Sequence, residues 1–213
     1  EVYNSYANGF FGGLVWEQRL AEKGYVVVCV DGRGTGGRGD EFKKCTYLKM
    51  GELESHDQVE VALWLSNQPY VDKSRIAIWG WSFGGFNTLM SMCEGREVFN
   101  CGIAVAPVTD WRFYDTVYTE RFMRTPQENP TGYDCSPLHR YEKIKGDLLL
   151  VHGMADDNVH FQNTAELAEA FVQAGYQFDM QVYTNRNHSI LGGNTRKHLF
   201  TRIENYLDEH LMK

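Results

Sequence analysis

Three side-chain types that activate one another occur in the chain order serine, aspartate, histidine, and each follows an apolar run. A serine hydroxyl is a weak nucleophile at neutral pH; an imidazole can take its proton, and a carboxylate can hold that imidazole in the right tautomer. The serine is Ser82, in the stretch RIAIWGWSFGGFNTLM, between an apolar run at 76–79 and a second apolar stretch at 83–92. Gly80 and Gly84 stand two positions to either side of it, and Gly85 follows. A turn sharp enough to lift the hydroxyl strains the backbone and crowds the flanking elements, so bare residues are expected there. The amide of Phe83, next after the nucleophile, would then point at a developing oxyanion. Asp156 and Asp157 follow the run LLLVHG, and His188 follows MQVYTNRN. The residue pattern leaves the two aspartates open, with Asp156 preferred as the triad acid and Asp157 the alternative. Either could instead cap a helix beginning near residue 161.

These groups need elements to hold them. The runs at 25–31, 76–79, 101–108 and 147–153 read as buried strands, and 178–188 alternates as a last one. Helical spacing is found at 16–23, at 54–68 with Val59, Leu63 and Leu65 on its apolar side, at 161–176 and at 196–212. Strands alternating with helices predict an α/β domain, a mostly parallel sheet covered by helices on both faces. Asp156, Asp157 and His188 fall at the carboxyl ends of their strands, the edge where open α/β sheets build sites. The five glycines of DGRGTGGRGDEF lack the Lys-Ser/Thr pair of a phosphate loop and are out of register for a dinucleotide fingerprint. They read as an irregular strand-to-helix connection, with Asp31 and Arg33 available for an internal ion pair. An aromatic and charged insertion occupies 111–141.

Composition narrows the function classes. The 213 residues suit one core, and 43% hydrophobic with 14% aromatic residues excludes disorder. No apolar run approaches the roughly 20 residues of a membrane span. A net charge of −7 without basic clusters argues against nucleic acid as partner. Cys29, Cys45, Cys93, Cys101 and Cys135 show no C-x-x-C spacing, so a zinc site is not expected. Cys29 and Cys93 sit on apolar faces and are expected to be buried.

The segments GWSFGG, DGRGTGGRGD, APVTDWRFYDTVYTERFM and HGMADDNVHFQNT, in order across nearly the whole chain, resemble the catalytic domain of the dipeptidyl peptidase IV branch of the prolyl oligopeptidase family of serine peptidases. The wording RTP and NHSI is similar to bacterial members. The resemblance implies an α/β-hydrolase fold, here truncated at its amino-terminal end, with residues 1–213 one catalytic domain of a longer protein whose β-propeller is absent. It implies Ser82, Asp156 and His188 as triad, so that the first aspartate is selected. Val108, Trp111, Tyr114, Tyr118 and Val159 match the family's apolar proline pocket, and Asn158 its ligand for the substrate carbonyl. Residues alone would place those aromatics in the core.

The implied activity is release of X-Pro or X-Ala dipeptides from peptide amino termini through an acyl-enzyme, with no metal or organic cofactor. Homodimerisation of the full-length protein and a periplasmic or envelope location are further expectations. An esterase or acylaminoacyl peptidase of the same fold, or a non-catalytic binding homologue, are the alternatives. Three departures accompany the resemblance. Phe83 replaces a tyrosine usual in animal members, and Cys101 lacks a disulfide partner. The family's second oxyanion donor, a tyrosine, is unmatched, since Tyr3 and Tyr6 stand in the wrong context. The fragment alone is therefore expected to be weakly active or inactive.

Overall fold

The computed structural model describes residues 15–212. Four parallel strands, β1 (Ala77–Trp81), β2 (Cys101–Val105), β3 (Asp147–Gly153) and β4 (Asp179–Tyr183), lie side by side in that order. Their registers pair Trp79 with Ile103, Ile103 with Leu149, and Val151 with Gln181. Helices α1 (Val15–Glu22), α2 (Asp40–Lys44) and α3 (Glu52–Leu65) precede β1; α4 (Phe83–Met92) joins β1 to β2, α7 (Gln162–Ala174) joins β3 to β4, and α8 (Thr195–Leu211) closes the chain.

Alternation along β2 and β3 sends residues to opposite faces, and each face has its own cover. Ile103, Val105, Leu149 and Val151 pack beneath Leu199, Ile203 and Tyr206 of α8 and Leu20 of α1. Ala104, Leu148 and Leu150 pack against Leu89 and Met92 of α4 and Leu167 and Phe171 of α7. The central strands are thus dry on both sides, which accounts for their continuous apolar sequences. The insertion at 111–141 folds into α5 (Thr116–Met123), α6 (Pro130–Tyr133) and short 3-10 turns at Trp111–Phe113 and Pro137–His139. Asp115 starts α5 by accepting a hydrogen bond from the Tyr118 amide at 2.8 Å, and Asn129 starts α6 by accepting one from Gly132.

Three expectations are corrected. Residues 25–31 form no strand, because among the described residues they have no ladder partner. An apolar slot of about 1020 Å³ separates them from β1. Cys29 consequently is exposed, whereas Cys93 is buried as expected. Asp31 and Arg33 do not pair with each other: Arg33 makes a bidentate pair with Asp57 of α3 at 2.5 and 3.0 Å, and Asp31 faces Arg38 at 3.4 Å.

Candidate active site

β1 ends at Trp81 and α4 begins at Phe83, so Ser82 alone makes the turn, with φ 59° and ψ −119°. A non-glycine residue with positive φ is strained. Backbone bonds hold it there: the Ser82 amide donates to Val105 of β2 at 2.8 Å, and its carbonyl accepts from Phe86 at 3.0 Å. A Cβ on Gly80 would lie 2.2 Å from the Gly84 carbonyl oxygen, and one on Gly85 would lie 2.8 Å from that of Val105. A Cβ on Gly84 would meet nothing within 4 Å. The crowding therefore falls on Gly80 and Gly85 rather than on Gly84. Phe83 is the first helical residue of α4, and an amide there has no intrahelical acceptor. Among the described residues it has no acceptor, so it can meet an anion above the turn.

The other two groups stand on loops laced together by backbone. Met154 donates to Tyr183, and Ala155 to Arg186, each at 3.0 Å. A side chain on Gly153 could not be accommodated, since its Cβ would lie 2.2 Å from the Arg186 carbonyl oxygen. This close crossing brings His188 to Asp156: Nδ1 lies 2.7 Å from Oδ2. Oδ1 of Asp156 accepts from the amides of Asn158 and Val159, each at 3.0 Å. The carboxylate is buried, and desolvation pushes its pKa up. Hydrogen bonds from His152 and His188 outweigh that and hold it well below the usual carboxylate range. Asp157 is exposed and makes no such contact among the described residues, and neither aspartate caps α7.

The serine turn and the histidine loop are joined through Trp81, whose indole donates to the His188 carbonyl at 3.0 Å. Arg196 lies over the same ring, 4.7 Å from its centroid. The Ser82 hydroxyl makes no hydrogen bond among the described residues; unliganded sites commonly hold this contact open until substrate arrives. Sequence reasoning missed Trp81 and His152. His152 lies within the apolar run LLLVHG, where a polar residue flanked by strand hydrophobics was the available signal.

Beside the turn, the insertion builds an aromatic box. Trp111 stacks on Tyr118 with centroids 5.8 Å apart, Tyr114 meets both edge-on, and Phe83 and Phe86 close the side toward Ser82. Val108 and Val159, both buried, belong to the same cluster. The Tyr114 hydroxyl donates to Asn158 Oδ1 at 2.5 Å, which places that exposed amide at the rim. A cleft of about 690 Å³ opens there, bordered by Arg112, Tyr114, Asn158 and His160. The buried indole nitrogen of Trp111 has no partner among the described residues. Tyr3 and Tyr6 lie outside them.

A nucleophile-bearing turn between strand and helix, followed by an acid and a histidine on later strand ends of a parallel sheet, is the α/β-hydrolase arrangement. Within that class the chain belongs to the prolyl oligopeptidase family, whose model matches residues 14–213. It is 46% identical over 188 residues to a protein of Talaromyces marneffei named "Probable dipeptidyl-aminopeptidase B", covering 86% of this chain and 21% of that one. A protein of the same name from Botryotinia fuckeliana is 45% identical over 200 residues, covering 92% and 22%. The crystal structure of Porphyromonas gingivalis dipeptidyl peptidase 4 superposes with a TM-score of 0.91 at 59% identity, over 92% of this chain and 28% of that one. The chain thus spans about a fifth of the length of the curated relatives it matches.

Proposed function

We propose that this chain carries the catalytic apparatus of a serine dipeptidyl peptidase that removes dipeptides with proline or alanine second from the amino terminus. The observation that carries the reading is the box of Trp111, Tyr114 and Tyr118 set against the nucleophile turn. Its walls are flat aromatic rings, and a pyrrolidine ring is rigid and apolar, so it loses little freedom on entering.

In the proposed reaction Ser82 Oγ attacks the carbonyl of the second residue while His188 takes its proton. Asp156 stabilises the imidazolium through Nδ1, and the Phe83 amide donates to the oxyanion. His188 then returns the proton to the leaving amine. Water repeats the sequence on the acyl-enzyme, freeing the dipeptide and Ser82.

The test compares glycyl-prolyl and amino-blocked glycyl-prolyl chromogenic substrates, using the longest polypeptide that carries this sequence, with and without Ser82→Ala. Cleavage of the free-amine substrate alone, lost in the variant, supports the proposal. Equal cleavage of both points to an esterase or endopeptidase. Cleavage that survives Ser82→Ala removes the serine mechanism altogether.

A further inference from the structure

We propose that His152 is a positioning residue of the triad: a buried donor that holds Asp156 Oδ2 between two imidazoles and limits how strongly this carboxylate draws on His188. The inference rests on the reading of Ser82, Asp156 and His188 as a hydrolytic triad.

His152 lies on β3 opposite Val182 of β4 and is fully buried. Its Nε2 faces two oxygens, the Val159 carbonyl at 2.8 Å and Asp156 Oδ2 at 3.2 Å. A carbonyl and an ionised carboxylate only accept, so Nε2 carries a proton. Its Nδ1 lies 2.7 Å from Thr164 Oγ1 on α7, a hydroxyl that adapts to either role. Phe161 meets the ring edge-on at 5.6 Å. The titratable groups around it are Asp156 directly and His188 across the carboxylate; Thr164, Phe161 and Val182, contributed by α7, its approach and β4, are uncharged.

This arrangement has two consequences. The first is geometric. Nε2 donates to the Val159 carbonyl and lies against Oδ2, while the Val159 amide returns to Oδ1, so the loop at 156–159 closes on itself and the carboxylate is held in one orientation. The second is electronic. His152 and His188 share Oδ2, and a donor at 3.2 Å withdraws part of the charge that the Nδ1 proton of His188 would otherwise feel. Whether His152 is neutral or cationic, the sign is the same: its removal strengthens the hold of Asp156 on the His188 imidazolium, which then gives up its proton at higher pH. A purely packing role would be filled at less desolvation cost by an apolar side chain.

The test measures the rate at which diisopropyl fluorophosphate labels Ser82 as a function of pH, which needs no peptide substrate. It is run on the longest polypeptide that carries this sequence, as wild type, His152→Leu, His152→Gln and Thr164→Val. Proton NMR follows the downfield Nδ1 proton of His188 in the same samples. His152→Leu is expected to slow labelling at neutral pH by about tenfold to a hundredfold. It should also raise the acid limb by about one pH unit and move the downfield resonance. His152→Gln, which still donates toward Oδ2, should recover most of both. Should His152→Leu fail to fold, Thr164→Val keeps the volume, loosens the ring and is expected to raise the same limb by less. An acid limb that stays in place or moves down in the folded variants overturns the assignment. A wild-type protein that is labelled with an unresponsive limb overturns this inference alone, whereas one that is never labelled overturns the triad reading beneath it.

Discussion

Asp156 and Asp157 are adjacent and identical in side chain, yet only one of them is built into the molecule. Asp156 is buried, with two backbone amides on one oxygen and two imidazoles on the other. Asp157 is exposed at the cleft. Asp156→Asn is therefore expected to lower kcat by about 10⁴-fold with little change in KM, because an amide no longer enforces the tautomer of His188. Asp157→Asn should leave kcat within a few-fold. Comparable losses in the two variants, measured with a chromogenic dipeptide substrate, would contradict the assignment. The carboxyl of Asp156 is also depressed, so the stability it contributes is present above the ordinary carboxylate pKa near 4 and fades as pH falls below it. Motif order located the acid to within two residues. What separates them is the direction each side chain takes from the loop, and that depends on where β4 delivers His188, a non-local fact that local pattern does not contain.

At the scale of elements, the turn that presents Ser82 depends on how closely β1 approaches α4. Gly80→Ala would drive a Cβ into the backbone of Gly84, which no side-chain rearrangement relieves. It is expected to cost about 3 kcal/mol or more. Gly84→Ala enters open space and should change stability by no more than about 1 kcal/mol. Thermal melts of the two distinguish them, and equal losses would refute this reading of the elbow. Spacing suggested that both glycines must be bare; only three-dimensional proximity shows which one carries the constraint. The start of α3 offers a second test. Glu54 accepts from the Gly51 amide at 2.9 Å through Oε2, while buried Oε1 has no partner among the described residues. Burial raises its carboxyl to about 7 against the pull of backbone hydrogen bonds. A folded pKa above the unfolded value of about 4.3 means that stability fully present below pH 4 is lost as pH rises through 7. Glu54→Gln keeps the acceptor and removes the charge. Relative to wild type it should gain on the order of 2–3 kcal/mol between pH 5 and pH 8. Urea melts giving the same difference at both pH values would show that Glu54 does not titrate in that window.

Across the whole molecule, the sequence was most legible where burial is symmetrical and least where pairing is remote. The runs at 101–108 and 147–153 read as dry strands because helices cover both faces of β2 and β3. The run at 25–31 carries the same signature, but periodicity reports only apolar character, and a parallel ladder needs a partner brought from elsewhere in the chain. In the structure Val26 and Val28 are 54% and 46% exposed, facing a slot whose other wall is β1. Asn87 Oδ1 and Thr88 Oγ1, on the same slot, are buried without partners among the described residues. An exposed apolar wall of this kind binds hydrophobic dyes, and backbone amides outside a ladder exchange readily with solvent. For the 213-residue chain, hydrogen exchange is therefore expected to complete early in peptides covering 25–31, while peptides covering 101–105 and 148–152 stay protected. Anilinonaphthalene sulfonate should bind and fluoresce under native conditions, in proportion to folded protein. Protection of 25–31 equal to that of β2 would mean that the slot is closed in solution. The four-stranded sheet would then have to be extended on the β1 side. Early exchange at 25–31 with β2 and β3 protected locates the stability of the molecule in the two central strands, the same strands whose carboxyl ends hold Ser82 in its turn and deliver Asp156 to His188.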